Sequence, residues 1–223
     1  MTQFQNIEAI LFDLDGTLVE TDDMAVIRIA RRIKPFLRHR SEWLARWLLM
    51  KAETPGNLFV TGLDALGLDE RMMSLTDRIR RRRGVYPAYE FRLVEGVEKL
   101  IESLKSRYEI ALVTSRSRYH IDQFLSRFPT IAPAFTVTCG LQDTRRLKPH
   151  PAPLQLAAER LKVPLANCVM VGDTTVDVRA ARRAGAWSAA VLCGFGERRE
   201  LERAGAHVVL DSTADLQSLL LQG

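Results

Sequence analysis

Ile10-Leu11-Phe12-Asp13-Leu14-Asp15-Gly16-Thr17-Leu18 is an apolar run that closes on two carboxylates, a glycine and a hydroxyl. Side chains alternate along a strand, so positions two apart share a side. Asp13 and Asp15 are therefore expected to project together where a first strand stops, with Gly16 allowing a sharp turn. Paired carboxylates repel, and a chain that brings two together usually supplies a metal or a shared proton. Asp-x-Asp-Gly by itself also occurs in calcium loops and ordinary turns.

Downstream, the same grammar repeats. From Phe91 onward helix and strand patterns alternate. Val94, Val97, Leu100, Ile101 and Leu104 recur at helical spacing, and Glu109 to Val113 reads as a buried strand. A helix from Tyr119 to Phe128 and a strand from Phe135 to Cys139 are expected next. A helix from Pro151 to Leu161 follows, with proline in its first turn. Then come a strand over Cys168-Val169-Met170-Val171 and a helix from Val176 to Ala184 stopped by Gly185. A strand from Trp187 to Leu192, a helix around Glu200, a strand from His207 to Leu210 and a helix from Ala214 to Leu221 complete the pattern. Near-continuous apolar strands separated by helices predict an α/β fold, a parallel Rossmann-like sheet covered on both faces. Ligands in such sheets bind beyond the carboxyl ends of the strands. Asp13, Thr114, Ser115 and Asp173 all follow strands and are expected at one edge.

Residues 21–90 break this rhythm. Val26, Ile29, Ile33 and Leu37 mark an amphipathic helix, and Trp43, Leu44, Trp47 and Leu48 mark a second. Pro55-Gly56-Asn57 is a turn. The segment predicts a helical domain inserted after the first strand, so that residues 1–20 and 91–223 form the core domain.

Composition bounds the function. The chain has 223 residues, 47% hydrophobic and 26% charged, which suits a globular protein with a large core. The net charge of +5 owes much to clusters such as Arg80 to Arg83. A charge run is ordinarily a solvated helix face, so no nucleic-acid partner is expected. Cys139, Cys168 and Cys193 lack metal-ligand spacing and read as reduced thiols of a cytoplasmic protein. Met1 to Glu8 carries no basic segment followed by an apolar run, and no stretch is long enough to span a bilayer, so no membrane association is expected. His39, His120, His150 and His207 lack zinc-site spacing and read as structural or surface residues.

Three further stretches carry chemistry. Val171-Gly172-Asp173-Thr174-Thr175-Val176-Asp177 again places carboxylates where a strand gives way to a helix. Oxygen ligands from two segments suit a small hard cation; a helix cap by Asp173 or Thr174, with Asp177 favouring the dipole, uses the same letters. Thr114-Ser115-Arg116 offers hydroxyls and amides for phosphate oxygens, or a simple ST-turn. Lys148 precedes Pro149 and can aim its ammonium at a phosphate, or be exposed. Arg116 and Arg118 follow the second strand and are within sequence reach of a substrate.

Taken together, these four stretches resemble the motifs of the haloacid dehalogenase superfamily, specifically its small phosphatases. Asp13 to Thr17 looks like the first motif, Thr114 or Ser115 the second, Lys148 the third, and Gly172-Asp173 through Asp177 the fourth. Gly194-Phe195-Gly196 and the C-terminal segment look like the phosphoglycolate phosphatase branch. The resemblance implies that Asp13 is the nucleophile and Asp15 the general acid and base. It implies Mg²⁺ held by Asp13, the Asp15 main-chain carbonyl and Asp173, phosphate bound by Thr114 or Ser115 and Lys148, and Lys148 or a metal-bound water oriented by Asp177. Residues 21–90 take the position of the family's cap. Halide-displacing and phosphonate-cleaving members lack a carboxylate at the position of Asp15, so Asp15 favours phosphate-ester chemistry. The implied activity is hydrolysis of a small phosphorylated metabolite, 2-phosphoglycolate first, by a monomer or homodimer. A phosphosugar mutase and a pyrophosphatase are the rival readings on the same scaffold. Two departures stand out: Glu20-Thr21 replaces the commoner Asp-Ser, and Thr114-Ser115-Arg116 replaces a Ser-Asn form.

Overall fold

The computed structural model describes Phe4 and residues 6–20 and 91–220. The segment 21–90, with His39, Trp43, Trp47 and the arginine run, lies outside the described residues.

Among the described residues, six short apolar runs become strands: β1 (Ala9–Phe12), β2 (Glu109–Val113), β3 (Phe135–Cys139), β4 (Cys168–Gly172), β5 (Trp187–Val191) and β6 (Val208–Leu210). They form one parallel sheet in the order β3-β2-β1-β4-β5-β6. Between them lie helices α1 (Val97–Leu104), α2 (Arg118–Arg127), α3 (Ala152–Leu161), α4 (Thr175–Ala184), α5 (Arg198–Ala204) and α6 (Leu216–Leu220). This is the expected α/β Rossmann-like fold.

The alternation of the strands divides the core in two. Ile10 and Phe12 of β1 join Leu112, Val169 and Val191 on one face, under Leu100 and Leu104 of α1, Phe124 of α2 and Leu216 of α6. Ala9 and Leu11 join Val113 and Met170 on the other, under Leu154 and Ala157 of α3 and Ala180 of α4. Each fully buried large side chain contributes roughly 1.5–3 kcal/mol before the cost of ordering it. The strand order reverses direction between β1 and β4, and the crevice outside their carboxyl ends is where such sheets bind ligands.

The chain leaves this body beside the point at which it re-enters it. Val19 bridges Leu93 in antiparallel fashion, and the Glu20 amide donates to the Arg92 carbonyl at 2.8 Å. Phe91 packs edge-on against Phe124, which also meets Phe128 and Phe135.

Several boundaries differ from the sequence expectation, most of them by one residue, and three have a visible cause. Helix α1 starts at Val97 rather than Val94, because the Val94 amide is spent on the Leu18 carbonyl and Gly96 turns at φ 81°. Strand β6 starts at Val208, since the ring of His207 turns back on Ser188. The last helix is preceded by a 3-10 turn, Thr213–Asp215, which Ser212 and Asp215 cap reciprocally. Gly185 stops α4 at φ 76°, as expected.

Cys139 and Cys168 are buried, Cys193 is half-buried, and all three are free. Burial pushes the Cys139 and Cys168 thiols up to about 11, which keeps them protonated and inert. Among the described residues, no helix is long and apolar enough to cross a membrane.

His207 accepts the Ser188 amide proton on Nδ1 at 3.1 Å, and His150 accepts that of Ala152 at 3.1 Å. Both rings must be neutral on that nitrogen. Burial and nearby arginines, Arg182 for His207 and Arg146 with Arg183 for His150, hold both below the usual 6.5. Between the folded and unfolded values the unfolded chain binds more protons, so this stability is present above pH 6.5 and lost as pH falls below it. Denaturant melts of a His150→Gln/His207→Gln variant should show a flatter loss of stability toward pH 5 than the wild type. Identical acid slopes would contradict this assignment.

Candidate active site

The carboxyl ends of β1 and β4 meet at the crevice. The Asp13 amide donates to the Val171 carbonyl at 2.9 Å, locking the two strand ends in register. Carboxylate oxygens of Asp13, Asp173 and Asp177 all lie within 4.8 Å of one another. Lys148 stands among them with its side chain 4% exposed. Its Nζ donates to Asp13 Oδ1 at 2.8 Å, Asp177 Oδ1 at 2.6 Å and the Val113 carbonyl at 2.9 Å.

Charge sets the ionisation of this group. Burial alone would lower the Lys148 ammonium, but Asp13 and Asp177 together raise it, so it stays cationic. Burial pushes the Asp13 carboxyl up to about 7, against the pull of Lys148 and with the help of Asp177. Three carboxylates around one lysine leave a surplus of negative charge, and one of the three is readily protonated.

Asp177 is held from both sides. Its Oδ2 accepts from the Thr174 amide at 3.2 Å and the Thr174 hydroxyl at 2.6 Å, capping α4, while Oδ1 takes Lys148. The helix-capping and site readings of this motif are therefore both realised in one side chain. Asp173 is 1% exposed, and its Oδ2 accepts from the Phe195 amide at 2.8 Å.

Asp15 is held by a different cation. Both of its oxygens go to Arg116, from Nε at 2.8 Å and Nη2 at 2.7 Å. Asp15 still adds its charge to that of Asp13, and Asp177, from another element, joins the carboxylates there. The chain between positions 13 and 15 already leaves strand geometry, with Gly16 at φ 69° and the Gly16 amide bonded to the Val19 carbonyl.

Thr114 is buried, and its Oγ1 accepts from the Arg116 amide at 3.1 Å, an ST-turn. Ser115 is exposed. Of the two hydroxyls, only that of Thr114 is turned into the fold. Arg118 is directed away, to Thr138 Oγ1 and Asp122. The Lys148–Pro149 peptide is cis.

Two contacts had no signal in the sequence beyond their position. One is Arg116 on Asp15. The other is the Cys193 to Gly196 loop, which packs on the same centre: Cys193 Sγ donates to the Gly16 carbonyl at 3.3 Å, and a Cβ on Gly194 would overlap the Asp173 carboxylate. Gly194→Ala should push that carboxylate aside. A shift of about 1 Å costs on the order of 10²-fold in turnover, with about 1–3 kcal/mol of stability from overpacking. Steady-state kinetics with thermal melts check this, and an unimpaired variant would contradict the packing role.

Five chain segments that lie far apart in sequence thus meet at one crevice. The profile of the family described as haloacid dehalogenase-like hydrolase matches residues 10–191. The chain belongs to this family. Pyrophosphatase PpaX of Bacillus cereus is 26% identical over 218 residues, covering 96% of both chains. Among solved structures, a predicted phosphoglycolate phosphatase from Haemophilus somnus aligns with a TM-score of 0.65 at 24% identity, covering 97% of this chain and 99% of that one. CbbY from Rhodobacter sphaeroides, solved in complex with phosphate, aligns with a TM-score of 0.64 at 26% identity, covering 94% and 96%. The protein is a haloacid dehalogenase-like hydrolase.

The donor set fits a divalent cation of the hard type. Every ligand atom on offer is a carboxylate oxygen, and the cluster carries more negative charge than Lys148 balances. Asp13 and Asp173 could hold such an ion, while Asp177 is committed to Lys148 and Thr174.

Proposed function

We propose that this hydrolase is a Mg²⁺-dependent phosphatase acting on a small phosphate monoester, with 2-phosphoglycolate the first candidate. The observation that carries it is the buried Lys148 bridging Asp13 and Asp177 at the mouth of β1, beside Asp173.

In this mechanism Asp13 attacks phosphorus. A bond from its carboxylate oxygen to phosphorus forms as the bond to the leaving oxygen breaks, giving an aspartyl-phosphate. Asp15 gives a proton to that leaving oxygen, then takes one from the water that cleaves the intermediate. Lys148 draws phosphate oxygens toward Asp13 and offsets their charge, held in place by Asp177. The Thr114 hydroxyl is the second phosphate contact, in preference to the exposed Ser115. Mg²⁺, held by Asp13, Asp173 and the Asp15 carbonyl, would supply charge stabilisation for the transferring phosphoryl group. Residues 21–90, in this reading, are the inserted cap domain. The side-by-side exit and return of the chain at Glu20 and Arg92 supports such an insert.

A second reading, pyrophosphate hydrolysis, is favoured by the similarity to Pyrophosphatase PpaX along nearly the whole chain. Phosphate release from 2-phosphoglycolate, pyrophosphate and a generic aryl phosphate separates them. Turnover should vanish with EDTA and return with Mg²⁺. Full activity in EDTA would contradict metal dependence. Exclusive use of pyrophosphate would replace the monoester assignment.

A further inference from the structure

We infer that Arg116 reads the leaving group, and that the preferred substrate carries a second negative charge beyond the phosphoryl group it transfers. This rests on the phosphatase reading above and names its substrate class.

The two cations of the site are held in opposite ways. Lys148 is 4% exposed and has three partners, one of them a backbone carbonyl, so no ligand can draw it away from Asp13 and Asp177. Arg116 is 25% exposed and its counter-ion Asp15 is 34% exposed. The pair is reached by water where Lys148 is sealed, so an incoming anion that matches the guanidinium fork can compete with Asp15 for it.

Arg116 is built for such an exchange. Its amide is fixed by Thr114 Oγ1 at 3.1 Å, and its carbonyl accepts from the Leu141 amide at 2.9 Å. The backbone is pinned at both ends of the residue while the guanidinium faces the crevice. The fork of Nε and Nη2 now grips both oxygens of Asp15. The same fork matches any carboxylate or phosphate in bidentate fashion.

Position decides which part of the substrate it meets. The phosphoryl group lies between Asp13, Lys148 and Asp173. Asp15 must reach the leaving oxygen, so the leaving group enters on its side, within reach of the guanidinium bonded to it. Asp15 needs an oxygen back from Arg116 to do its work. A carboxylate or phosphate on the leaving group that takes over the fork releases Asp15 as it binds. A neutral leaving group leaves the clamp closed. Substrate charge and the freeing of the general acid are thereby coupled.

Three substrates test this: 2-phosphoglycolate, pyrophosphate and 2-hydroxyethyl phosphate, the last matching the first but neutral in its leaving group. The wild type should favour at least one anionic leaving group over the neutral one in kcat/KM, on the order of 10- to 100-fold. Which anion is favoured tells carboxylate from phosphate. Arg116→Gln should reduce that preference tenfold or more, and Arg116→Lys, which keeps the charge but not the fork, should fall between. A wild type that turns over all three alike would overturn the inference without any variant. So would a preference that survives in Arg116→Gln. Failure to release phosphate from any of the three and from a generic aryl phosphate would contradict the phosphatase reading itself, and this inference with it.

Discussion

Asp13→Asn should lower turnover by at least about 10⁴-fold, more than 5 kcal/mol in the barrier, while the protein stays folded. The amide is nearly isosteric with the carboxylate but cannot displace a phosphate ester. The variant should not unfold. The Asp13 carboxyl is pushed up to about 7 by burial, so near neutral pH the amide resembles a form the protein already holds. Lys148 keeps Asp177 and the Val113 carbonyl as partners. Circular dichroism and melting temperature should therefore stay close to wild type while phosphate release disappears. Robust turnover by a folded Asp13→Asn protein would remove the nucleophile assignment.

Lys148→Met should be the most destabilising change among the described site residues. The ammonium is 4% exposed, between carboxylates 13% and 3% exposed. Removing one partner of a buried ion pair costs roughly 3–5 kcal/mol, because the charge left behind has neither water nor a counter-ion. For a chain of this size that lowers the melting temperature by roughly 10 °C. The carboxylates of Asp13 and Asp177, left without Lys148 and close to Asp173, give the variant a stronger need for a cation. Added Mg²⁺ should then raise its melting temperature more than that of the wild type. Thermal melts with and without the ion measure both effects, and a variant as stable as the wild type would contradict the role given to Lys148.

Much of the fold was legible because the strands are short apolar runs that announce their burial. Ala9–Phe12, Glu109–Val113 and Cys168–Gly172 needed no partner information to be recognised. Their lateral order was not legible, since the pairing of β1 with β4 joins segments far apart in sequence. Boundaries slipped where a side chain or amide had a distant partner. Val94 is held by Leu18, and His207 by Ser188.

The candidate site divides along the same line. Asp13, Asp173 and Asp177 could be singled out because each follows a strand or opens a helix, and Lys148 because it precedes a proline-bound turn; the fold brings them together. Arg116 could not be assigned a partner from sequence, because its bond to Asp15 spans 101 positions. The turn that aims it is local and visible in retrospect: Thr114 Oγ1 accepts the Arg116 amide, so the hydroxyl read as a phosphate ligand also sets the arginine. The letters of Thr174 and Asp177 fitted either a cap or a site, and the structure has them serve as a cap that holds the buried lysine in place.

The most direct measurement is a rapid quench in acid of the enzyme turning over a substrate with radiolabelled phosphate, followed by peptide mapping. Label bound through an acyl-phosphate to the peptide that contains Asp13, and its absence from Asp13→Asn, is the predicted result. Steady turnover with no label on that peptide would contradict the account.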